Sequence, residues 1–228
     1  MTRTRNVADI IKQPFTTTLG TSNYRAGVNA GNSIVSGGNF NVVIGDEAGT
    51  AITTGLKNVA VGMDAMGTNV DGDGNVAVGY QALKTMEPAN GFSFNTAVGA
   101  QAGLSVTTGL RNTLIGALAG DAVIGSDDHV FVGYLAGSSV TTGINNTLIG
   151  SHSGDALVAG TRNVAIGYAS LGLDTTGSHS TALGYLALDA QNFTSAVDTF
   201  NVAVGSSAGS AVTTGVQNTL IGGLAGDA

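Results

Sequence analysis

The sequence predicts an all-β fold, a parallel β-solenoid of 17-residue coils, from three observations. One phrase recurs, as NTLIGALAGDA at 112, NTLIGSHSGDA at 146 and NTLIGGLAGDA at 218. The word Asn-x-x-x-Gly starts at Asn41, Asn58, Asn75, Asn95, Asn112, His129, Asn146, Asn163, Ser180, Asn201 and Asn218, with eight of the ten spacings equal to 17 residues. The 36 glycines among 228 residues disfavour helix, and two prolines are too few for a collagen-like chain. A fixed period of this kind marks an array whose units bury themselves only against the next.

The elements follow in chain order. Residues 1–22 stand outside the repeat, and NVADIIKQPF predicts one short helix with Asn6 as its N-cap and Pro14 as its stop. Residues 23–40 open with NYRAG, a degenerate first copy, and residues 41–228 hold eleven coils, the last incomplete. Within a coil, NVAVG, NTAVG and NVAIG are short β-branched runs ended by glycine, which predict a brief strand and a turn. Each coil adds roughly 4.8 Å along the axis, so eleven make a rod of about 50 Å. The two long spacings, 20 residues from Asn75 and 21 from Ser180, place insertions at one edge of the coil. A 34-residue period overlies the shorter one, with TTG at 53, 107, 141, 175 and 213 and GDA at 120, 154 and 226.

The fifth position is glycine in every copy: Gly45, Gly62, Gly79, Gly99, Gly116, Gly133, Gly150, Gly167, Gly184, Gly205 and Gly222. A corner with positive φ or close backbone approach explains such a column. Ala or Ser at the eighth position predicts a packed site with room for a methyl or hydroxyl only. In NVAVG the second and fourth side chains point one way and the third the other, yet all are apolar, so both faces need cover. One face fills the coil, and the other is expected to pack on identical copies around an axis, most economically as a closed trimer. A chain without tryptophan, filled with Ala, Val, Ile and Leu, has a narrow interior and no wide ligand cavity. No cysteine is present, which removes disulfides and thiolate chemistry, and no cofactor is expected.

Charge narrows the partners. Arg3, Arg5, Lys12 and Arg25 against Asp9 give residues 1–40 a net +3, leaving −10 for the rest of a chain of formal charge −7. The body is expected to repel nucleic acid. Nothing approaches the roughly 20 apolar residues of a membrane span, and MTRTRNVADIIKQPF lacks the apolar centre of a signal peptide. LIGGLAGDA is no polar cap, so the sequence reads as a fragment, or the ordered part, of a longer fibre.

NVAVGYQAL, NTAVGAQAG, NVAIGYASL and STALGYLAL resemble the repeats of phage tail-fibre shafts and the shorter SVAIG repeats of the YadA-type heads of trimeric autotransporter adhesins. The resemblance covers residues 41–228 and implies a left-handed parallel β-roll, trimeric, carried on a virion or cell surface for attachment. It departs from the adhesins in its longer coil and in showing neither signal peptide nor C-terminal anchoring barrel. The phage resemblance implies a virion fibre assembled in the host cytoplasm and acting outside the cell. Its N-terminus would dock on tail, neck or capsid proteins, with Arg3, Arg5, Ile10, Ile11 and Phe15 as candidate contacts, and a more distal C-terminal part would meet the host receptor. The alternatives are a cell-surface adhesin module that binds glycan or matrix directly, and a tailspike-type polysaccharide depolymerase.

Four tyrosines, Tyr80, Tyr134, Tyr168 and Tyr185, occupy the sixth position and are candidate sugar-stacking contacts, with packing on neighbouring rungs as the plainer reading. GSSAG at 205–209 matches a nucleophile elbow but is also the repeat column filled elsewhere by GYQAL. His129, His152 and His179 fall at the first, seventh and seventeenth positions and form no ladder. VDGDGN at 70–75 lacks the closing Glu of an EF-hand and reads as a solvated turn. Asp64, Asp121, Asp155 and Asp174 read as unrelated rung positions, so no column of acids is expected and no enzyme is predicted. The insertions bring phenylalanines, of which Phe94 and Phe200 are expected to tuck back before the next strand.

Overall fold

The computed structural model describes residues 20–87 and 91–227. The expected N-terminal helix and the docking candidates Arg3, Arg5, Ile10, Ile11 and Phe15 lie outside the described residues. Among the described residues there is no helix, and twelve three-residue strands, from Tyr24–Ala26 and Val42–Ile44 to Thr219–Ile221, form one parallel sheet. Each strand pairs with the equivalent strand of the next rung, as Val59, Ala60 and Val61 do with Val76, Ala77 and Val78. Tyr24–Ala26 pairs with Val42–Ile44 in the same register, so the solenoid begins at NYRAG.

Strands this short cohere because every rung is locked to the next by a buried asparagine ladder. The Asn112 backbone N–H donates to Asn95 Oδ1 at 2.9 Å, while Asn112 Nδ2 donates to the Ser126 carbonyl of its own rung at 2.9 Å. Asn58 repeats both bonds, to Asn41 Oδ1 and the Gly72 carbonyl. One side chain thus ties its strand to the rung below and to the far edge of its own rung. These asparagines are fully buried, which is tolerable only because their amides are paired.

The corner after the strand requires glycine. Gly133 has φ +145°, and a Cβ there would lie 2.4 Å from the Gly150 carbonyl oxygen of the next rung. Beyond the corner the chain turns through left-handed residues at the seventh position, such as Leu118 (φ 58°) and His152 (φ 58°). A bond between rungs holds each of them, as where the Gln101 N–H donates to the Tyr80 carbonyl at 2.7 Å. The strain of non-glycine residues in this region is thereby offset at each turn.

The third, eighth and twelfth positions face inward. Ala97, Leu114, Phe131 and Leu148 from the third column, Ala102, Ala119 and Ala136 from the eighth, and Val106, Val123, Val140 and Leu157 from the twelfth are all fully buried. The third and ninth positions compensate in volume. Where the third is Ala60, Ala77, Ala165 or Ala182, the ninth is Met66, Leu83, Leu171 or Leu188, all buried. Where the third is Leu114, Phe131 or Leu148, the ninth is glycine. In the rung from Asn95 both positions are small, and Leu83 and Leu114 from the flanking rungs reach over Gly103, within 2.9 Å of a Cβ placed there. The core is therefore filled across rungs, at the close packing of ordinary interiors.

Candidate functional site

Two outward surfaces carry chemistry that rung stacking does not use. The first is the outer face of the long sheet. Its second and fourth positions are Val, Ile, Leu and Thr, and Val98, Ile115, Val130, Val164 and Leu183 are exposed while their strand mates are half-buried. Twelve strands at a spacing of about 4.8 Å make an apolar flank about 50 Å long. Of the two faces expected to need cover, the third position is the one enclosed by the coil, and the second and fourth remain outside.

The second surface lies just past the glycine corner. Tyr134, Tyr168 and Tyr185 are 50%, 50% and 53% exposed, and the structure brings these three candidates together. The missing link is His152, which takes the place of a tyrosine where the sixth position is Ser151. Its ring centroid lies 5.5 Å from Tyr134 and 5.8 Å from Tyr168, and Tyr168 stacks on Tyr185 at 5.6 Å. Ser151 Oγ holds His152 Nδ1 at 2.9 Å. Four successive rungs thus share one aromatic row. Tyr80 stands apart, separated from the row by Ala100 and Ala117 in the same column.

Beside this row runs a column of acids, a correction to the expectation of unrelated positions. Asp121, Asp155 and Asp189 all occupy the tenth position, on alternate rungs, whereas Asp64 is seventh and Asp174 twelfth. The seventh and tenth columns adjoin, since Lys84 at a tenth position reaches Asp64 at a seventh across 3.2 Å. Burial raises the pKa of Asp155, with His152 acting in the opposite sense. Burial also raises that of Asp189, helped by the charge of Asp155. Asp121 is raised by burial too, and its Oδ1 is enclosed without a partner.

The other histidines have local roles. His129 replaces asparagine in the buried ladder: its N–H donates to Asn112 Oδ1, and its Nδ1 accepts from the Asn146 N–H at 3.3 Å. Its ring stacks on Phe131 at 4.6 Å, and Nε2 has no hydrogen-bond partner. Desolvation drives its pKa down to about 4, and the Gly143 carbonyl, where Asn would bond, offsets this only in part. His179 lies 3.1 Å from Asp198 and stacks on Phe200.

The remaining sequence candidates resolve into structure. Ser207 of GSSAG is the left-handed seventh residue of its turn (φ 54°), and among the described residues no acid or histidine bonds to it. In VDGDGN, Asp73 Oδ1 accepts the Leu56 N–H at 2.7 Å and Gly72–Asp73 pairs with Gly91–Phe92. Among the described residues no group of three His, Asp or Glu is arranged to hold a metal ion. Phe94 and Phe200 do not tuck back: they are 57% and 50% exposed. They sit at the seventeenth position, a left-handed column that also holds the exposed Arg111 and Asp128, paired at 2.6 Å. Phe193, 7% exposed, is the insertion residue that enters the interior.

The fold and these surfaces define a class, a parallel β-solenoid of about eleven 17-residue coils with a bare apolar flank. No family profile, no curated protein and no solved structure matches the chain.

Proposed function

We propose that the chain is the shaft of a virion-attached fibre, a homotrimer that joins other virion proteins at its N-terminal end and carries a receptor-binding region for host attachment. The observation that carries this reading is the apolar flank. Parallel sheets are ordinarily covered on both faces, and here the coil covers only the inner one. An apolar strip running the length of the sheet matches an extended partner of the same repeat, and a second copy supplies one in register. Threefold closure about an axis covers every flank and leaves none open to propagate. The resemblance of the Asn-x-Ala-x-Gly word to fibre-shaft repeats points the same way.

The mechanism is mechanical and multivalent: a stiff rod holds several distal tips at once and raises avidity without strong single contacts. The test is to charge the flank. Ile115→Lys with Ile149→Lys should reduce the assembly to single chains by size-exclusion chromatography with light scattering, while the β-type circular dichroism spectrum persists. An unchanged trimer would contradict a flank interface. A second reading, a cell-surface adhesin module that touches glycan directly, draws on the aromatic row.

A further inference from the structure

The aromatic row is not needed for stacking. In the rungs from Asn95, Asn112 and Asn201 the sixth position is Ala100, Ala117 or Ser206, yet the strands pair and the turns bond as they do in the row. The rings are confined to four rungs, unlike the flank, which runs the whole sheet. A feature so placed, half exposed and dispensable to the fold, belongs to a ligand.

The charge around the row decides which ligand. From Asn112 to Phe200 no Lys or Arg occupies a sixth, seventh or tenth position, whereas Asp155 and Asp189 do. A second copy would bring the same carboxylates against these, and a nucleic acid or other polyanion is repelled. What remains is an uncharged polymer with apolar C–H faces for the rings and hydroxyl donors for the carboxylates. Asp155 and Asp189 recur every second rung, about 9.6 Å apart along the axis. That spacing is close to two residues of an extended, β-linked sugar chain.

We propose that Tyr134, His152, Tyr168 and Tyr185, flanked by Asp155 and Asp189, bind a neutral linear polysaccharide laid along the rod. The outward parts of the tyrosine rings meet the pyranose C–H faces, the two carboxylates accept hydroxyls two sugars apart, and His152, with Nδ1 held by Ser151, has Nε2 for a hydroxyl. This goes beyond the shaft reading, since one chain suffices for the contact, and repetition along a fibre or over several fibres would multiply a weak site into useful avidity.

The experiment is titration of the full chain with cellohexaose and chitohexaose, followed by saturation-transfer NMR and calorimetry, with dextran as a coiled, α-linked control. At least one extended probe should bind at millimolar concentration or better. Tyr168→Ala with Tyr185→Ala should weaken it about tenfold, Asp155→Asn with Asp189→Asn should weaken it too, and Tyr80→Ala, off the row, should leave it unchanged. No binding of either probe, equal binding of dextran, or an equal loss in Tyr80→Ala would overturn the proposal. The mass of each variant in solution is measured alongside, so failure of sugar binding and failure of the trimer are read separately.

Discussion

Between Asn112 and Arg162 every rung closes on an apolar twelfth residue, Val123, Val140 or Leu157, whereas the second enlarged rung, from Ser180 to Phe200, and the rung before it close on Gln191 and Asp174. The regular rungs are filled by hydrocarbon. At the enlargement Asp174, fully buried, accepts from the Gly177 and Phe193 N–H groups and from Gln191 Nε2, and Gln191 in turn accepts from Asn201 Nδ2. The added chain also pairs as a strand, Gly177–Ser178 with Val197–Asp198, and the first insertion does the same with Gly72–Asp73 and Gly91–Phe92. An insertion of a few residues exposes new backbone donors inside a narrow coil, and polar side chains satisfy them where apolar ones cannot. The difference teaches that the repeat tolerates lengthening only where it brings its own hydrogen-bond partners.

That contrast can be broken most sharply at Asp174. Asp174→Ala strands three donors and should lower stability by about 3–5 kcal/mol, more than most single cavities do. Leu157→Ala, the matching change in a regular rung, should cost about 2–4 kcal/mol through the void it leaves. Urea midpoints of the two variants check both values. A nearly neutral Asp174→Ala would mean that the polar network does not hold the enlarged rung.

A second contrast lies inside the regular rungs, where His129 breaks the asparagine ladder. Its folded pKa, about 4, is below the usual 6.5, so the unfolded chain takes up the proton first. The contribution of His129 is complete above pH 6.5, falls as pH drops towards 4, and amounts to about 3 kcal/mol over that window. Asp121, Asp155 and Asp189, whose pKa values are raised, work in the opposite sense, so the quantity to measure is wild type minus His129→Asn as a function of pH. The variant should gain stability relative to wild type on acidification, and a flat difference would remove the histidine from the account. Least affected should be Phe94→Ser and Phe200→Ser, each within about 0.5 kcal/mol, since both rings are half exposed.

How far these features were legible in the chain depends on whether the period reports them. The coil length, the glycine corner and the alanine column were readable because each recurs in nearly every rung and one steric demand explains each. The asparagines served only to mark the register, although they are buried tethers, because a polar residue at a repeat start looks like a turn residue. Compensation between Ala60 and Met66, or Leu114 and Gly120, was hidden because it pairs columns six residues apart, a relation set by the curl of the coil. His152 was set aside for standing at the seventh position, where the left-handed turn carries its ring into the sixth-position row. The acid column was missed by misplacing Asp121 and Asp155, which share a rung position. Phe94 and Phe200 were read by hydrophobicity, while their backbone belongs to an outward column.

The central claim is that this single chain leaves half of its sheet surface to be covered by copies of itself, and the mass in solution tests it most directly. Sedimentation equilibrium of the full chain should give about 68 kDa, three times 22.5 kDa, unchanged on dilution through the micromolar range. A mass of 22.5 kDa would contradict it, leaving a solenoid that stands alone with its apolar flank in water.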